Sequence, residues 1–190
     1  PMKVGNEWIF NQSSGNTTAM KIIATEIING ATYFKYDQFI GQSVVQGMDF
    51  EGTVYTRKSE SNYYLRQEVV IPSMPGMPEV TVSPTEFTIL KDNLGVNETW
   101  QETLNQTTNY GGMEIVTIVN VVGKIIEKDA TITVGTQTFT NVIKIHIKQT
   151  ADDTIINNYF WFAKDIGLIK FENDMMDQIE TYNITSYQIL

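Results

Sequence analysis

The sequence predicts an all-β protein: an antiparallel meander of about ten strands that forms a strongly curved sheet, a half-barrel or a flattened barrel. Three observations predict it. Short runs of β-branched and aromatic residues are separated by turn residues throughout the 190-residue chain, which is typical of consecutive antiparallel strands. No segment keeps a helical hydrophobic period over several turns. A twisted sheet of this many strands tends to curl or close.

The first part of the chain contains five predicted strands. They cover residues 8–12, 18–28, 31–36, 50–57 and 63–71. Asn29 and Gly30 separate the second and third runs. This pair is a strong hairpin signal because both residues tolerate positive φ in a type I′ turn. The sequence therefore predicts a hairpin that turns at these two residues.

Prolines interrupt the strand pattern in the middle of the chain. Four of the five prolines lie between Pro72 and Pro84, and proline supplies no N–H to a central strand. Ser83, Pro84 and Glu86 resemble the capping box that begins a helix. The sequence therefore predicts a loop here, followed by at most one short helix.

Strand patterns resume after this loop. They occur at residues 100–107, 113–127, 131–136, 139–148, 159–162 and 178–190. In residues 113–127, apolar side chains occur at both parities, which predicts a strand that is covered on both faces or bends at a bulge. In residues 143–148, isoleucines alternate with Lys144, His146 and Lys148, which predicts one buried face and one face in water.

The length of the chain fits a single β domain, residues 1–190. The segment Gly5-Asn6-Glu7-Trp8 is echoed by Val96-Asn97-Glu98-Thr99-Trp100. This echo indicates an alternative, in which the domain contains two pseudo-repeated halves. The alternative divides the chain into residues 1–71, the proline-rich loop 72–84 and residues 96–190.

Charge and composition limit the partners. The net charge of −9 disfavours both a sequence-independent grip on nucleic acid and docking on an anionic membrane. No apolar run approaches the roughly 20 residues of a transmembrane helix. The chain has no cysteine, so disulfides, thiol nucleophiles and thiolate metal sites are excluded. We expect no nucleic-acid partner and no transmembrane segment. An apolar small molecule or a partner protein is the kind of ligand that this composition allows.

Three short motifs carry a family resemblance. They are Lys3-Val4-Gly5-Asn6-Glu7-Trp8, then Gly135-Thr136 followed by Phe139, Asn141 and Val142, and finally Ala163-Lys164-Asp165-Ile166-Gly167-Leu168-Ile169-Lys170. With these motifs the chain resembles a loosely defined group of uncharacterised exported bacterial all-β proteins, many of them predicted lipoproteins. Asp165 stands where that group usually has glycine, at a position that favours positive φ.

The resemblance implies an exported protein that is periplasmic or at the cell surface. It also implies a lipid anchor on an N-terminal segment that precedes this sequence. It implies no activity, because the group has no known shared activity. The chain begins at Pro1 followed by Met2, so we expect that its natural N-terminus lies upstream of this sequence.

The sequence shows no catalytic constellation, so it predicts no enzyme, no metal and no cofactor. His146 is the single histidine, and on the polar face of its strand it is interpreted as a solvated side chain rather than a catalytic base. Asp152 and Asp153 are adjacent in a turn, where their side chains diverge. The sequence contains no phosphate-binding loop, dinucleotide fingerprint or nucleophile elbow.

Aromatic and methionine side chains are the candidate binding residues. Residues 159–162 are four consecutive aromatics, so two of them point away from whichever face is buried, and amphipathic aromatics are common at binding surfaces. Met74 and Met77 lie in the proline-stiffened loop, where adaptable thioether side chains suit a lid. The predicted ligand-binding residues are Tyr33, Met74, Met77, Tyr159 and Trp161.

The leading functional hypothesis is a non-catalytic binding or scaffold domain that holds an apolar ligand or a partner protein on a concave β face. One alternative is a carbohydrate-recognition module, which needs Trp161, Tyr159 or Tyr33 on a flat exposed platform. The other alternative is a carboxylate-based hydrolase, which needs two acidic side chains facing each other across a cleft.

Overall fold

The computed structural model describes residues 1–40, 51–73, 76, 78–175 and 178–190. This part of the chain forms twelve strands and no helix. The strands are β1 (Glu7–Gln12), β2 (Thr17–Ile28), β3 (Ala31–Tyr36), β4 (Glu51–Ser59), β5 (Asn62–Ile71), β6 (Val80–Lys91), β7 (Thr99–Tyr110), β8 (Met113–Val134), β9 (Gln137–Ala151), β10 (Thr154–Ala163), β11 (Gly167–Met175) and β12 (Gln178–Gln188). The described residues include no helix of the length and apolarity needed to cross a bilayer.

The twelve strands form a closed antiparallel barrel in which each strand pairs with its neighbours in the chain. β1 pairs with β12, with Trp8 opposite Tyr187 and Gln12 opposite Tyr182. The all-β antiparallel class is as predicted, whereas the prediction of about ten strands in a half-barrel or flattened form is wrong. Closure gives the first and last strands a partner, so the backbone groups of those edges are paired.

The predicted short helix is also wrong, because Ser83, Pro84 and Glu86 lie within β6. The β6–β7 ladder ends at Val82 opposite Thr108, and the β5–β6 register shifts between Val82 and Thr85. Pro84 therefore sits where no ladder hydrogen bond requires its missing N–H. The Ser83 hydroxyl, rather than capping a helix, accepts a hydrogen bond from the Thr107 N–H at 2.8 Å.

The hairpin predicted at Asn29 and Gly30 is confirmed. β2 and β3 pair as far as Ile28 opposite Ala31, and the two turn residues have φ values of 51° and 80°. Both values lie in the left-handed region that a type I′ turn requires. Asp165 likewise has a φ of 62°, as its position in the motif favours.

The inner face of the barrel is the hydrophobic core. The alternation predicted for residues 143–148 is confirmed for Ile145 and Ile147, which are fully buried. Burying each such side chain stabilises the fold by roughly 1.5–3 kcal/mol. Ile143 and the three residues of the opposite face are half-buried. The most buried apolar side chains come from strands all round the barrel: Phe10, Ile22, Val54, Val121, Ile125, Val142, Ile145, Ile147, Ile169 and Ile184.

Strand β8 differs from its prediction. It is one 22-residue strand that bends through register shifts between Ile125 and Ile132, so the predicted bulge is confirmed for its second half. In its first half, however, Ile115 and Val116 remain 52% and 60% exposed. The cover predicted for both faces is therefore absent from this part of the strand.

Side chains hold the β6–β7 seam together where the backbone ladder stops. The Glu102 carboxylate accepts hydrogen bonds from the Thr88 N–H at 3.0 Å and from the Thr88 hydroxyl at 2.5 Å. The Trp100 indole N–H donates to the Thr88 carbonyl at 3.0 Å. These bonds replace the missing strand pairing at this position, since buried backbone groups need partners.

The two chain ends meet at one end of the barrel. Asn6, which is fully buried, accepts a hydrogen bond from the Leu190 N–H at 3.0 Å and donates to the Pro1 carbonyl at 3.2 Å. Nearby, the Trp8 indole N–H donates to the Ile166 carbonyl at 2.7 Å. The barrel is thus closed at this end by side-chain hydrogen bonds as well as by the ladder of β1 and β12.

Candidate functional site

Lysine and aromatic side chains cluster on the outer face of β8 to β11. We call this cluster the basic-aromatic surface. Its members are Lys124, Lys144, His146, Lys148, Tyr159, Trp161 and Lys170. It contains two of the five predicted binding residues and four of the thirteen Lys and Arg residues of an acidic chain.

The strand register brings these residues together. Trp161 lies directly opposite Lys144 on β9 and Lys170 on β11. Two pairs further along the ladder, Tyr159 lies opposite His146. Residues directly opposite one another share a face. The intervening core residues point inward, so this set points outward.

Trp161 is the centre of the surface. The Lys144 ammonium is 4.8 Å and the Lys170 ammonium 4.5 Å from the centroid of its ring, within cation–π distance. Its ring is tilted against that of Tyr159, with 6.5 Å between centroids. Trp161 is only 6% exposed and also belongs to the cluster of buried hydrophobic side chains. The ring therefore holds two ammonium groups in place and does not offer a free flat platform.

His146 stacks on Tyr159. The two rings are 4.5 Å apart and within 11° of parallel, and His146 Nε2 is hydrogen-bonded to Asn157 Oδ1 at 2.9 Å. The imidazole is thus fixed between an aromatic face and an amide. This position supports its interpretation as a surface side chain, although it is half-buried rather than fully solvated.

Carboxylates neutralise only part of the surface. Lys170 pairs with Glu172 at 2.7 Å and Lys144 reaches Glu127 at 4.0 Å. Lys124 and Lys148 form no ion pair within the described ranges. At physiological salt the Debye length is about 8 Å, so a ligand on this surface is screened from most of the chain's negative charge. Four lysines against these two carboxylates leave the surface locally positive.

Tyr33 lies elsewhere, on β3, five strands from β10 in the barrel order. Its hydroxyl donates a hydrogen bond to Glu86 and accepts one from Arg57 Nε at 2.9 Å. The Arg57 guanidinium pairs with Glu86 at 2.5 Å and lies 3.7 Å from the centroid of the Tyr64 ring. Tyr33 is thus one member of a satisfied polar network on the outside of β3 to β6.

The charges of this network shift its pKa values. Burial raises the pKa of Glu86, but the hydrogen bonds from Arg57 and Tyr33 outweigh burial and leave it below its ordinary value. The hydrogen bond with Glu86 raises the pKa of Arg57. Burial, followed by the hydrogen bond to Glu86, raises the pKa of Tyr33. All three groups therefore keep their usual charge states at neutral pH.

The structure brings together only two of the predicted binding residues, Tyr159 and Trp161. Tyr33 belongs to the separate network, and Met74 and Met77 lie outside the described residues. The prediction missed the lysines as site residues. The alternation of Lys144 and Lys148 with isoleucines was visible in the sequence, but only the strand register shows that they flank the aromatic pair.

A cavity of about 570 Å³ lies at the end of the barrel where the termini meet. It is lined by the first five residues of β9, the loop before β11, and Tyr187. Asp165 is the one carboxylate among its lining residues, so it lacks the carboxylate pair that a glycoside hydrolase requires. Within residues 1–40, 51–73, 76, 78–175 and 178–190, no three His, Asp or Glu side chains are placed to hold a metal ion.

No protein-family model matches the chain, and no curated protein matches it. Among solved structures it is similar to the crystal structure of a "putative lipoprotein" from Parabacteroides distasonis, with a TM-score of 0.49 and 13% sequence identity. The alignment covers 99% of this chain and 97% of that one. A likeness of this degree assigns no function to the chain.

Proposed function

We propose that the protein is a non-catalytic binding barrel that holds an acidic segment of a partner protein on its basic-aromatic surface. The observation that supports this most strongly is the cluster of four lysines, in which Lys144 and Lys170 are held against Trp161. Beside them, Lys124 and Lys148 form no ion pair among the described residues. Lys144 and Lys170 lie on the two strands that flank the indole, and the ring restricts the motion of both lysine side chains. Less side-chain entropy is then lost when an anionic ligand binds.

The spacing of the lysines suits an extended acidic chain. Lys144 and Lys148 lie on the same face of β9, about 13 Å apart at roughly 3.3 Å per residue. Lys124 on β8 lies opposite His146, between them. A partner segment with carboxylates at alternate positions therefore reaches successive ammonium groups without bending.

An acidic protein segment fits this surface better than a sugar. A carbohydrate platform needs an accessible ring face, whereas Trp161 is 6% exposed and His146 covers one face of Tyr159. Core side chains occupy the interior of the barrel. The concave face is therefore a less favourable binding site for an apolar ligand than the sequence predicts. Export to the cell envelope stays a prediction from the sequence motifs.

The test is a binding titration with a labelled poly-glutamate peptide, followed by fluorescence anisotropy. We expect saturable binding that weakens as salt is raised, because exposed ion pairs are screened. Reversing two charges with Lys144→Glu and Lys148→Glu removes two favourable pairs and adds repulsion. At roughly 0.2–1 kcal/mol per exposed pair, affinity falls about tenfold or more.

The matched control reverses two lysines elsewhere, Lys3→Glu and Lys91→Glu, and so changes the net charge equally. We expect this control to bind within about twofold of the parent chain. The proposal fails if the peptide does not bind, or if both double variants lose the same affinity. In the second case only net charge, and no local surface, governs binding.

A further inference from the structure

The beginning of β8 is an open strand edge. β7 pairs with every residue from Met113 to Ile118, whereas pairing with β9 begins only at Val119 opposite Ala151. Across the described ranges, no strand pairs with the other side of residues 113–118. At about 3.4 Å per residue this edge is about 20 Å long. Every second residue directs its N–H and C=O toward it.

The side chains of this segment are apolar on both faces. Met113, Ile115, Val116 and Ile118 are 60%, 52%, 60% and 56% exposed. Natural edge strands are usually protected by lysine, proline, a bulge or a covering element. Here Glu114 is the single charge in the segment. Such an edge is a template for the addition of another strand.

We propose that this edge pairs with the same edge of a second copy of the chain, antiparallel and about a two-fold axis perpendicular to the sheet. In that symmetry, residues of equal parity lie opposite one another. One register places Ile115 opposite its own copy and Glu114 opposite Val116. The next places Val116 opposite its own copy and Glu114 opposite Ile118.

Glu114 restricts the register. Shifting the pairing one step the other way places the two Glu114 carboxylates directly opposite each other, and like charges in that position are destabilising. Both remaining registers bring the β-branched Ile115 and Val116 into the interface, where such side chains pack well on a pleated surface. The single charge thus excludes the unfavourable register without preventing association.

A second copy fits this edge better than an unrelated strand. Each copy supplies the β-branched strand with a single charge that the other copy lacks, so one pairing covers two open edges. An acidic strand from another protein would find no cation in this segment. A basic strand would find only one carboxylate, that of Glu114. Because the contact is isologous, it closes after two copies and does not propagate into a fibre.

Sedimentation velocity over a range of protein concentrations tests the proposal. We expect the parent chain to shift from monomer to dimer as concentration rises. The double variant Ile115→Glu and Val116→Glu is expected to stay monomeric, because both registers then place carboxylates directly opposite one another. Both side chains are more than half exposed, so the variant keeps its fold and its melting temperature.

The control carries Ile27→Glu and Ile179→Glu, at isoleucines that are 79% and 65% exposed in other strands. It changes the net charge equally, and we expect it to dimerise like the parent chain. A monomeric parent chain at all concentrations overturns the proposal, as does an edge double variant (Ile115→Glu with Val116→Glu) that dimerises equally well.

Cysteine cross-linking then identifies the register, because the natural chain has no cysteine. Ile115→Cys forms a disulfide-linked dimer in the first register and Val116→Cys in the second, since only residues directly opposite meet the distance limits of a disulfide. Ile27→Cys reports random collision. If neither edge variant cross-links faster than Ile27→Cys, the two-fold pairing is wrong.

Discussion

Replacing Gly123 by alanine tests the packing that closes the β6–β7 seam. Trp100 lies directly opposite Gly123, and its ring covers the glycine so closely that an added Cβ would lie 2.1 Å from Trp100 Cε2. The indole has no room to move without losing its 3.0 Å hydrogen bond to the Thr88 carbonyl. The substitution therefore displaces the ring that bridges the seam.

The expected cost follows from three contributions. Overpacking costs about 1–3 kcal/mol and loss of the indole hydrogen bond about 1 kcal/mol. The smaller entropy loss of alanine returns about 0.5–1 kcal/mol. We therefore expect Gly123→Ala to lower the free energy of unfolding by about 2 kcal/mol, which is a melting temperature lower by about 4–8 °C for a domain of this size.

Urea denaturation followed by circular dichroism measures this effect. Gly95→Ala is the matched control, because its Cβ would meet Glu98 Oε2 at 3.4 Å, an ordinary contact; we expect a change within about 0.5 kcal/mol. In a Trp100→Leu background the clash is removed, so Gly123→Ala should cost little. If it costs the same in both backgrounds, the clash with Trp100 is not its cause.

Three further predictions concern single buried or charged groups. Burial raises the pKa of Tyr36 to about 12. The contribution of the neutral phenol to the free energy of unfolding is therefore complete below about pH 10 and is lost between about pH 10 and 12. Tyr36→Phe should remove this pH dependence of the melting temperature, measured by thermal melts over that range. The pKa of Glu86 is depressed in the folded protein. Its contribution to the free energy of unfolding is therefore present above its unfolded pKa and is lost as the pH falls through its folded pKa. Glu86→Gln should weaken the pH dependence of the melting temperature below about pH 5, and an unchanged pH dependence there would contradict this. Asn6→Ala removes a fully buried amide that accepts from the Leu190 N–H at 3.0 Å and donates to the Pro1 carbonyl at 3.2 Å. We expect the free energy of unfolding to fall by about 1–3 kcal/mol, at about 1 kcal/mol or more for each lost hydrogen bond, measured by urea denaturation. A loss below about 0.5 kcal/mol would show that the contact between the chain ends contributes little.

The sequence predicted the local structure of this protein better than its closure. The Asn29-Gly30 hairpin and the alternation around Ile145 follow from short-range rules that act within one or two strands. Closure depends on β1 pairing with β12, at opposite ends of the chain, and no local pattern contains that information. Pro84 misled the prediction because its tolerance inside β6 depends on a break in the pairing with β7.

The candidate surface was predictable only in part. Four consecutive aromatics predict that two of them lie on a second face, and the structure places Tyr159 and Trp161 there, beside lysines. Lys170 is distant from Lys144 in the chain, and only the registers of β10 with β9 and β11 bring them to the same indole. Sequence alternation indicates which residues share a face of one strand, but not which strand lies alongside.

The most direct test of the proposed binding surface is a titration followed by NMR of the indole N–H groups, because the chain has three tryptophans. Trp8 and Trp100 donate hydrogen bonds to the Ile166 and Thr88 carbonyls, outside the basic-aromatic surface, so their signals act as internal references. On addition of the poly-glutamate peptide, we predict that the Trp161 signal shifts in a saturable manner while the other two stay fixed. An unmoved Trp161 signal, or equal shifts of all three, would contradict binding at the basic-aromatic surface.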